Sequence, residues 1–169
     1  MENYCLRCGR ALEDRELFGR VRRACPDCGW IHFRSAPVAA GSILFQEDRL
    51  LLIRRKHPPL QDHWSFPCGF QEADESPAQA AEREAREETG LEVRAGDVFG
   101  VFFDHNGAKN VVVVVYRGEI TGGTLRPGDD AAEVRAFPLR ETPENLAFPS
   151  SFEVVRRLRA EARLERMRP

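Results

Sequence analysis

With 169 residues, 42% hydrophobic and 31% charged side chains, the chain has apolar mass for a core and charge enough for solubility. Its formal net charge of −2 excludes a strongly basic nucleic-acid protein as the default. No stretch reads as a membrane span, apolar leader, low-complexity tract or solenoid repeat, so one catalytic-size domain plus a small appendage in a reducing, cytoplasmic location is expected.

At the amino end, Cys5-x2-Cys8 and Cys25-x2-Cys28 form two pairs, each followed by a glycine (Gly9, Gly29). Four thiolates at this spacing suit a small zinc ribbon over residues 1–34, with Zn²⁺ in a closed structural site. So short a segment builds no core of its own, and the metal stands in for one. The alternatives are two disulfides and a redox Cys-x-x-Cys. A reducing location weighs against the first, and the duplication without a βαβ context against the second. The charges Arg7, Arg10, Arg20, Arg22 and Arg23 against Glu2, Glu13, Asp14, Glu16 and Asp27 nearly balance, which offers little for a nucleic-acid surface.

Ser35-Ala36-Pro37 marks the junction to a second domain, 35–169. Residues 38–45 read as a strand, Glu47-Asp48 as a turn and 50–53 as the hairpin partner. His57-Pro58-Pro59 is a loop, and 64–66 a short strand leading to Cys68, read as a small packing residue rather than a nucleophile.

Ser76-Pro77-Ala78-Gln79 then reads as a capping box with proline at the first helical position, and Gly90 as the stop. Within that helix Glu84, Glu87 and Glu88 share a face, Arg83 reaches Glu87 at i+4, Glu82 and Arg86 point the opposite way, and Ala78, Ala81 and Ala85 form a small-residue stripe. Like charges stacked this way repel, and a hard divalent cation removes the repulsion. A solvated acidic face is the alternative reading of the cluster taken alone.

Residues 92–103 read as an extended segment broken by Gly96 and Gly100, and 111–116, rich in valine, as a strand buried on both faces. Gly122-Gly123 and Pro127-Gly128 are turns, and 133–137 a final strand. Residues 150–168 form a terminal helix with Phe152, Val155, Leu158 and Ala162 inward. Its arginines 156, 157, 159, 163, 166 and 168, offset by Glu153, Glu161 and Glu165, read as a solvated face. The order implies an α/β domain with a mixed sheet between two helices.

Gly69, Glu75, Arg83-Glu84, Glu87-Glu88 and Gly90-Leu91 meet every fixed position of G-x5-E-x7-R-E-U-x-E-E-x-G-U, with Ala85 the one soft departure at a position that prefers a bulkier apolar residue. In this the chain resembles the Nudix hydrolases. The resemblance implies an α/β/α sandwich and hydrolysis of a nucleoside diphosphate linked to another moiety. It implies that Glu84 and Glu88, with Glu87 and the Gly69 carbonyl, hold Mg²⁺ or Mn²⁺, and that Arg83 orients the carboxylates. Glu72 and Glu75 lie in the same loop. The general base stays open among Glu84, Asp129, Asp130 and Glu133.

A ribbon ahead of such a domain resembles the NADH pyrophosphatases, but their Ser-Gln-Pro-Trp-Pro-Phe-Pro-x-Ser stretch is missing, and Asp104-His105-Asn106-Gly107 offers nothing similar. The proline about fifteen residues beyond the box in many ADP-ribose pyrophosphatases is missing too. Residues 146–151 instead resemble ribbon-bearing members that act on ADP-ribose or flavin dinucleotides. ADP-ribose, FAD and NADH are therefore the substrates implied. Phe148, Phe33 or Trp64 could stack on a base, and Arg54 or Arg55 meet phosphate, with Arg54 and Phe148 the substrate-binding candidates. An RNA-cap hydrolase, and a non-enzymatic nucleotide-sensing or nucleic-acid-binding regulator, are the alternatives; the intact box weighs against the second. The expected partner is a small nucleotide, without nucleic acid or membrane, and the resemblance implies a homodimer.

Overall fold

The computed structural model describes residues 3–105 and 110–166. Glu2, Asn106, Gly107 and Arg168, invoked above, lie outside the described residues. Two compact units divide the chain, residues 1–35 and 36–169.

The first unit is a three-stranded antiparallel sheet, β1 (Glu13–Leu17), β2 (Arg20–Ala24) and β3 (Ile31–His32), in that spatial order. Its core is small: Cys5, Leu12 and Cys25 are buried, with Cys28 and Trp30 packed against them. The β1–β2 hairpin turns on Phe18 and Gly19, both left-handed at φ 54° and 71°. Two-residue hairpins of this kind favour Asn-Gly. A side chain in the left-handed region costs roughly 1–2 kcal/mol, and the phenylalanine stays there although its ring is solvent-exposed.

The second unit holds two four-stranded sheets. One is mixed, with order β8 (Cys68–Phe70), β4 (Val38–Ile43), β10 (Asn110–Gly123) and β9 (Leu91–His105); β4 and β10 run parallel and the other pairs antiparallel. The other joins β11 (Ala131–Pro138), β6 (Arg49–Arg55) and β5 (Phe45–Gln46), with β7 (Trp64–Ser65) also on β6. The expected single strand over 38–45 therefore divides at Leu44, where the chain leaves one sheet for the other. Consecutive residues show why: Ile43 joins one apolar cluster and Leu44 the other, and the Leu44 carbonyl accepts from Leu51 N at 2.9 Å.

Those clusters define the layers. Along β6, Leu50 and Leu52 face the cluster containing Val154, Val155 and Leu158 of helix α2 (Pro149–Arg166). Leu51 faces the opposite cluster, with Ala85 of helix α1 (Pro77–Thr89). The domain is thus an α/β/α sandwich with α1 and α2 on opposite sides. Val111, Val113 and Val115 are buried in the α2 cluster while Val112 and Val114 are half-buried, so β10 is fully buried on one face only, contrary to the expectation of two. Each buried valine contributes about 1.5–3 kcal/mol.

Several local expectations are corrected. Gly96 and Gly100 do not break β9; that strand runs unbroken, and the register shifts against β10 fall beside them. Gly122-Gly123 closes β10 against Leu91 and Glu92 rather than turning. In α2 Val154 is buried while Phe152 is half-exposed. In α1 Ala80 joins Ala81 and Ala85 in the buried stripe, and Ala78 is only half-buried. Trp64 packs edge-on against Phe137 at 4.9 Å in the core, which removes it from base stacking.

Candidate active site and metal centres

Helix α1 starts where Ser76 accepts from Gln79 N at 3.3 Å while Ser76 N donates to Gln79 Oε1 at 2.9 Å. It ends at Gly90, left-handed at φ 71°, whose N–H donates to the Arg86 carbonyl. The two caps fix its ends, and the buried Ala80, Ala81 and Ala85 set which face turns to the sheet.

Arg83 is the hub. A guanidinium has five N–H donors, and here its three nitrogens reach five acceptors: Nε donates to Glu75 Oε2 (3.1 Å), Nη1 to Glu84 Oε1 (2.6 Å) and Glu87 Oε2 (3.0 Å), and Nη2 to Glu75 Oε1 (2.6 Å) and the Phe70 carbonyl (2.9 Å). Its hydrogen bonds hold the Glu75 carboxyl below the usual range. Glu75 Oε1 also accepts from Glu72 N at 2.9 Å, closing the loop onto the helix.

Glu84 and Glu88 sit deeper. Burial raises the Glu84 carboxyl against the pull of Arg83. Glu88 is 3% exposed and its carboxyl is pushed up to about 8, first by burial, with the Cys68 N–H opposing and the Glu84 charge adding. That N–H donates to Glu88 Oε2 at 2.9 Å. Gly69 is required for close approach: a Cβ there would lie 2.2 Å from the Glu84 carboxylate. Burial and the charges of Glu88 and Glu84 push the Cys68 thiol well above its ordinary value, which leaves it protonated and unsuited to attack.

The loop between β10 and β11 crosses the end of α1, with Arg126 N donating to the Thr89 carbonyl (2.9 Å) and Gly128 N to the Glu88 carbonyl (3.2 Å). It brings Asp129 and Asp130 close enough for their charges to act on Glu84 and Glu88 respectively, after the larger effect of burial. Glu133 stands apart: despite burial, Arg135 and Arg54 hold its carboxyl below the usual range.

Of the substrate candidates, Arg54 is engaged by Glu133 (3.1 Å) and Asp62 (2.6 Å). Arg55, its neighbour on the opposite face, lies over the Phe148 ring at 5.1 Å and donates to the Pro59 carbonyl, and its charge acts on Glu88. Phe148 is half-buried. Two contacts had no sequence signal. Glu82, on the far side of the helix, accepts from Ala95 N at 2.9 Å, and buried Asp104 accepts from Ser150 N (2.8 Å) and Ser150 Oγ (2.6 Å) at the start of α2.

Among the described residues, only Cys5, Cys8, Cys25 and Cys28 bring three or more ligand atoms within 4.8 Å of one another. Their sulfurs stand 3.5 Å (Cys8–Cys25), 3.6 Å (Cys5–Cys28) and 3.6 Å (Cys8–Cys28) apart. A Zn–S bond of about 2.3 Å in a tetrahedron gives sulfur separations of about 3.8 Å, whereas a disulfide needs about 2.05 Å. Gly9 and Gly29 take φ 73° and 72°, and Arg7 N and Cys28 N donate to the sulfurs of Cys5 and Cys25. The donor set fits zinc. The carboxylates form no comparable closed set, since Arg83 draws Glu84 and Glu87 while Glu88 turns to the Cys68 amide. Carboxylate oxygens are nonetheless the donor type that a hard divalent cation takes, a few at a time with water and phosphate.

The NUDIX domain profile matches residues 35–158. The chain belongs to the NUDIX domain family. An ADP-ribose pyrophosphatase of Methanocaldococcus jannaschii is 36% identical over 113 residues, 66% of this chain and 66% of that protein. A MutT-like protein of Streptomyces ambofaciens is 32% identical over 108 residues, 64% of this chain and 67% of its own. The chain thus spans about two thirds of the length of these two relatives. Among solved structures, a NUDIX hydrolase from Nitrosomonas europaea superposes with a TM-score of 0.81 at 29% identity, over 90% of this chain and 87% of that one. The enzyme class that family, relatives and Nudix fold indicate is that of the pyrophosphohydrolases. No helix among the described residues is long and apolar enough to cross a membrane.

Proposed function

We propose that the chain is a divalent-metal-dependent pyrophosphohydrolase that cleaves a nucleoside diphosphate linked to a second moiety, with ADP-ribose the leading substrate and FAD and NADH its rivals. The observation that carries the reading is Glu88, a buried carboxyl raised to about 8 beside the half-buried Glu84, whose carboxyl burial also raises. Burial disfavours the ionised form of both acids, and a bound cation restores it by offsetting their charge.

In this reading Glu84 and Glu88, with Glu87 and the Gly69 carbonyl, hold Mg²⁺ or Mn²⁺. When bound, such an ion neutralises phosphate oxygens and lowers the pKa of coordinated water. Arg83 keeps Glu84 and Glu87 aimed and the Glu75 loop closed. Water forms a new bond to one phosphorus, the bridging oxygen leaves with the other phosphate, and the water proton goes to a carboxylate. Asp129, Asp130 or Glu84 is suited to take it; Glu133, held low by two arginines, is the weakest candidate. Arg55, steadied by Phe148, is a better phosphate contact than Arg54, whose guanidinium is already occupied. Zn²⁺ on Cys5, Cys8, Cys25 and Cys28 is structural, and such thiolates need a reducing compartment such as the cytoplasm.

A product assay with Mg²⁺ on ADP-ribose, FAD, NADH and a nucleotide sugar tests the reading. AMP release, highest in kcat/KM for ADP-ribose, is expected; no metal-dependent cleavage of any of the four would overturn it.

A further inference from the structure

We propose that one face of the 1–35 unit is a docking surface for single-stranded nucleic acid, built from Phe18, Phe33, Arg15, Arg20 and Arg22. The register sets Arg15 directly opposite Arg22 and Leu17 opposite Arg20, so the three arginines share one face of the β1–β2 hairpin. Like charges directly opposed destabilise a sheet. Glu13 lies 3.6 Å from Arg15, but among the described residues Arg20 and Arg22 form no ion pair. The opposite face differs, since there Arg23 is paired with Asp14 at 3.3 Å.

The aromatic component is independent of the charge. Arg22 lies over the Phe33 ring at 4.9 Å, and Phe33 stacks on Phe18 with centroids 6.4 Å apart and 23° between planes. Both rings are open to solvent, 76% for Phe18 and 57% for Phe33. Phe18 holds that position at φ 54°, where an asparagine or glycine would sit without strain. A strained, exposed aromatic at a hairpin tip serves something outside its own unit's core.

Charge complementarity names the occupant. With Arg15 and Arg34 counted, residues 1–35 carry seven arginines against five acids, while residues 36–169 carry 18 basic and 22 acidic side chains. The near balance read from part of the segment is therefore a local excess of positive charge. Flat rings beside arginines match the bases and phosphates of a single strand, which stack and pair with these groups respectively. A duplex hides its base faces. The inference stands independently of the hydrolase reading.

Fluorescence anisotropy of the zinc-loaded full chain with labelled oligo-U and oligo-dT, against a duplex of equal length, tests it at about 50 mM salt, where phosphate contacts are strong. Single strands are expected to bind more tightly than the duplex. Phe18→Asn should weaken binding about tenfold, the loss of one stacking contact, while leaving Tm no lower and nucleotide hydrolysis unchanged, because asparagine accepts the turn geometry. Arg20→Ala and Arg22→Ala should each reduce the log–log salt slope by about 0.7. No binding, duplex binding as tight as single-strand binding, variants that bind like the parent, or binding only to phosphatidylserine vesicles would each overturn the proposal.

Discussion

The backbone N–H of Cys68 donates to Glu88 Oε2 at 2.9 Å, tying strand β8 to the last turn of helix α1. That single bond orients a carboxylate that burial otherwise drives toward protonation, with its pKa near 8. Hydrogen bonding to the ionised form pulls the pKa down and burial pushes it up; burial wins.

A pH dependence follows. Glu88 binds its proton more tightly in the folded chain than in the unfolded one, so its protonated form favours folding below about pH 4.5 and that contribution is lost as pH rises toward 8. The window carries on the order of 5 kcal/mol at about 1.4 kcal/mol per pKa unit. Zinc-loaded protein without added Mg²⁺ should melt several degrees lower at pH 8 than at pH 5, and Glu88→Gln should flatten that slope. An equal slope in the variant would contradict the assignment.

Gly69→Ala places a Cβ 2.2 Å from the Glu84 carboxylate. The carboxylate, at the end of a flexible side chain, gives way before the backbone does. A displacement of about 1 Å at a catalytic group costs on the order of a hundredfold in rate, so kcat should fall by that order while the circular dichroism spectrum stays that of the parent. Unimpaired turnover would show that Glu84 works from elsewhere.

Arg83→Lys keeps the charge and loses the fork. Three rotatable donors cannot meet the acceptors on Glu75, Glu84, Glu87 and Phe70 together. The expected result is a loss of 1–3 kcal/mol of stability, about that of leaving a polar partner unsatisfied, with a higher Mg²⁺ requirement. Thermal melts and Mg²⁺ titration of the rate check the two effects separately.

For the ribbon, native mass spectrometry should find one Zn²⁺ per chain, lost in Cys25→Ser. Protease should then cut within residues 1–35, since the buried Cys5, Leu12 and Cys25 make too small a core to hold the unit alone. Parent protein without zinc and without titratable thiols would mean disulfides instead.

What the sequence made legible was what neighbours in the chain decide. The Ser76–Gln79 box, the Gly90 stop and the Arg83–Glu87 pair are interactions over three or four residues, and each has its own residue signature. Contacts between distant segments carried none. Glu82 caps a backbone amide on β9 and Asp104 holds the first turn of α2, both through helix-on-sheet packing that brings remote residues together. The sheet change at Leu44 was equally silent, because no glycine or proline stands at the crossing. In α2 the periodicity admitted more than one inward stripe, and packing chose Val154 over Phe152.

In the proposed reaction Glu84 and Glu88 together carry the metal dependence. Single-turnover AMP formation from ADP-ribose, with and without Mg²⁺, in the parent, Glu84→Gln and Glu88→Gln tests it most directly. Mg²⁺-dependent AMP release is expected, slowed by about a hundredfold in each variant, a loss of about 2.7 kcal/mol in barrier lowering. AMP release at the parent rate in both variants, or at the same rate without Mg²⁺, would contradict it.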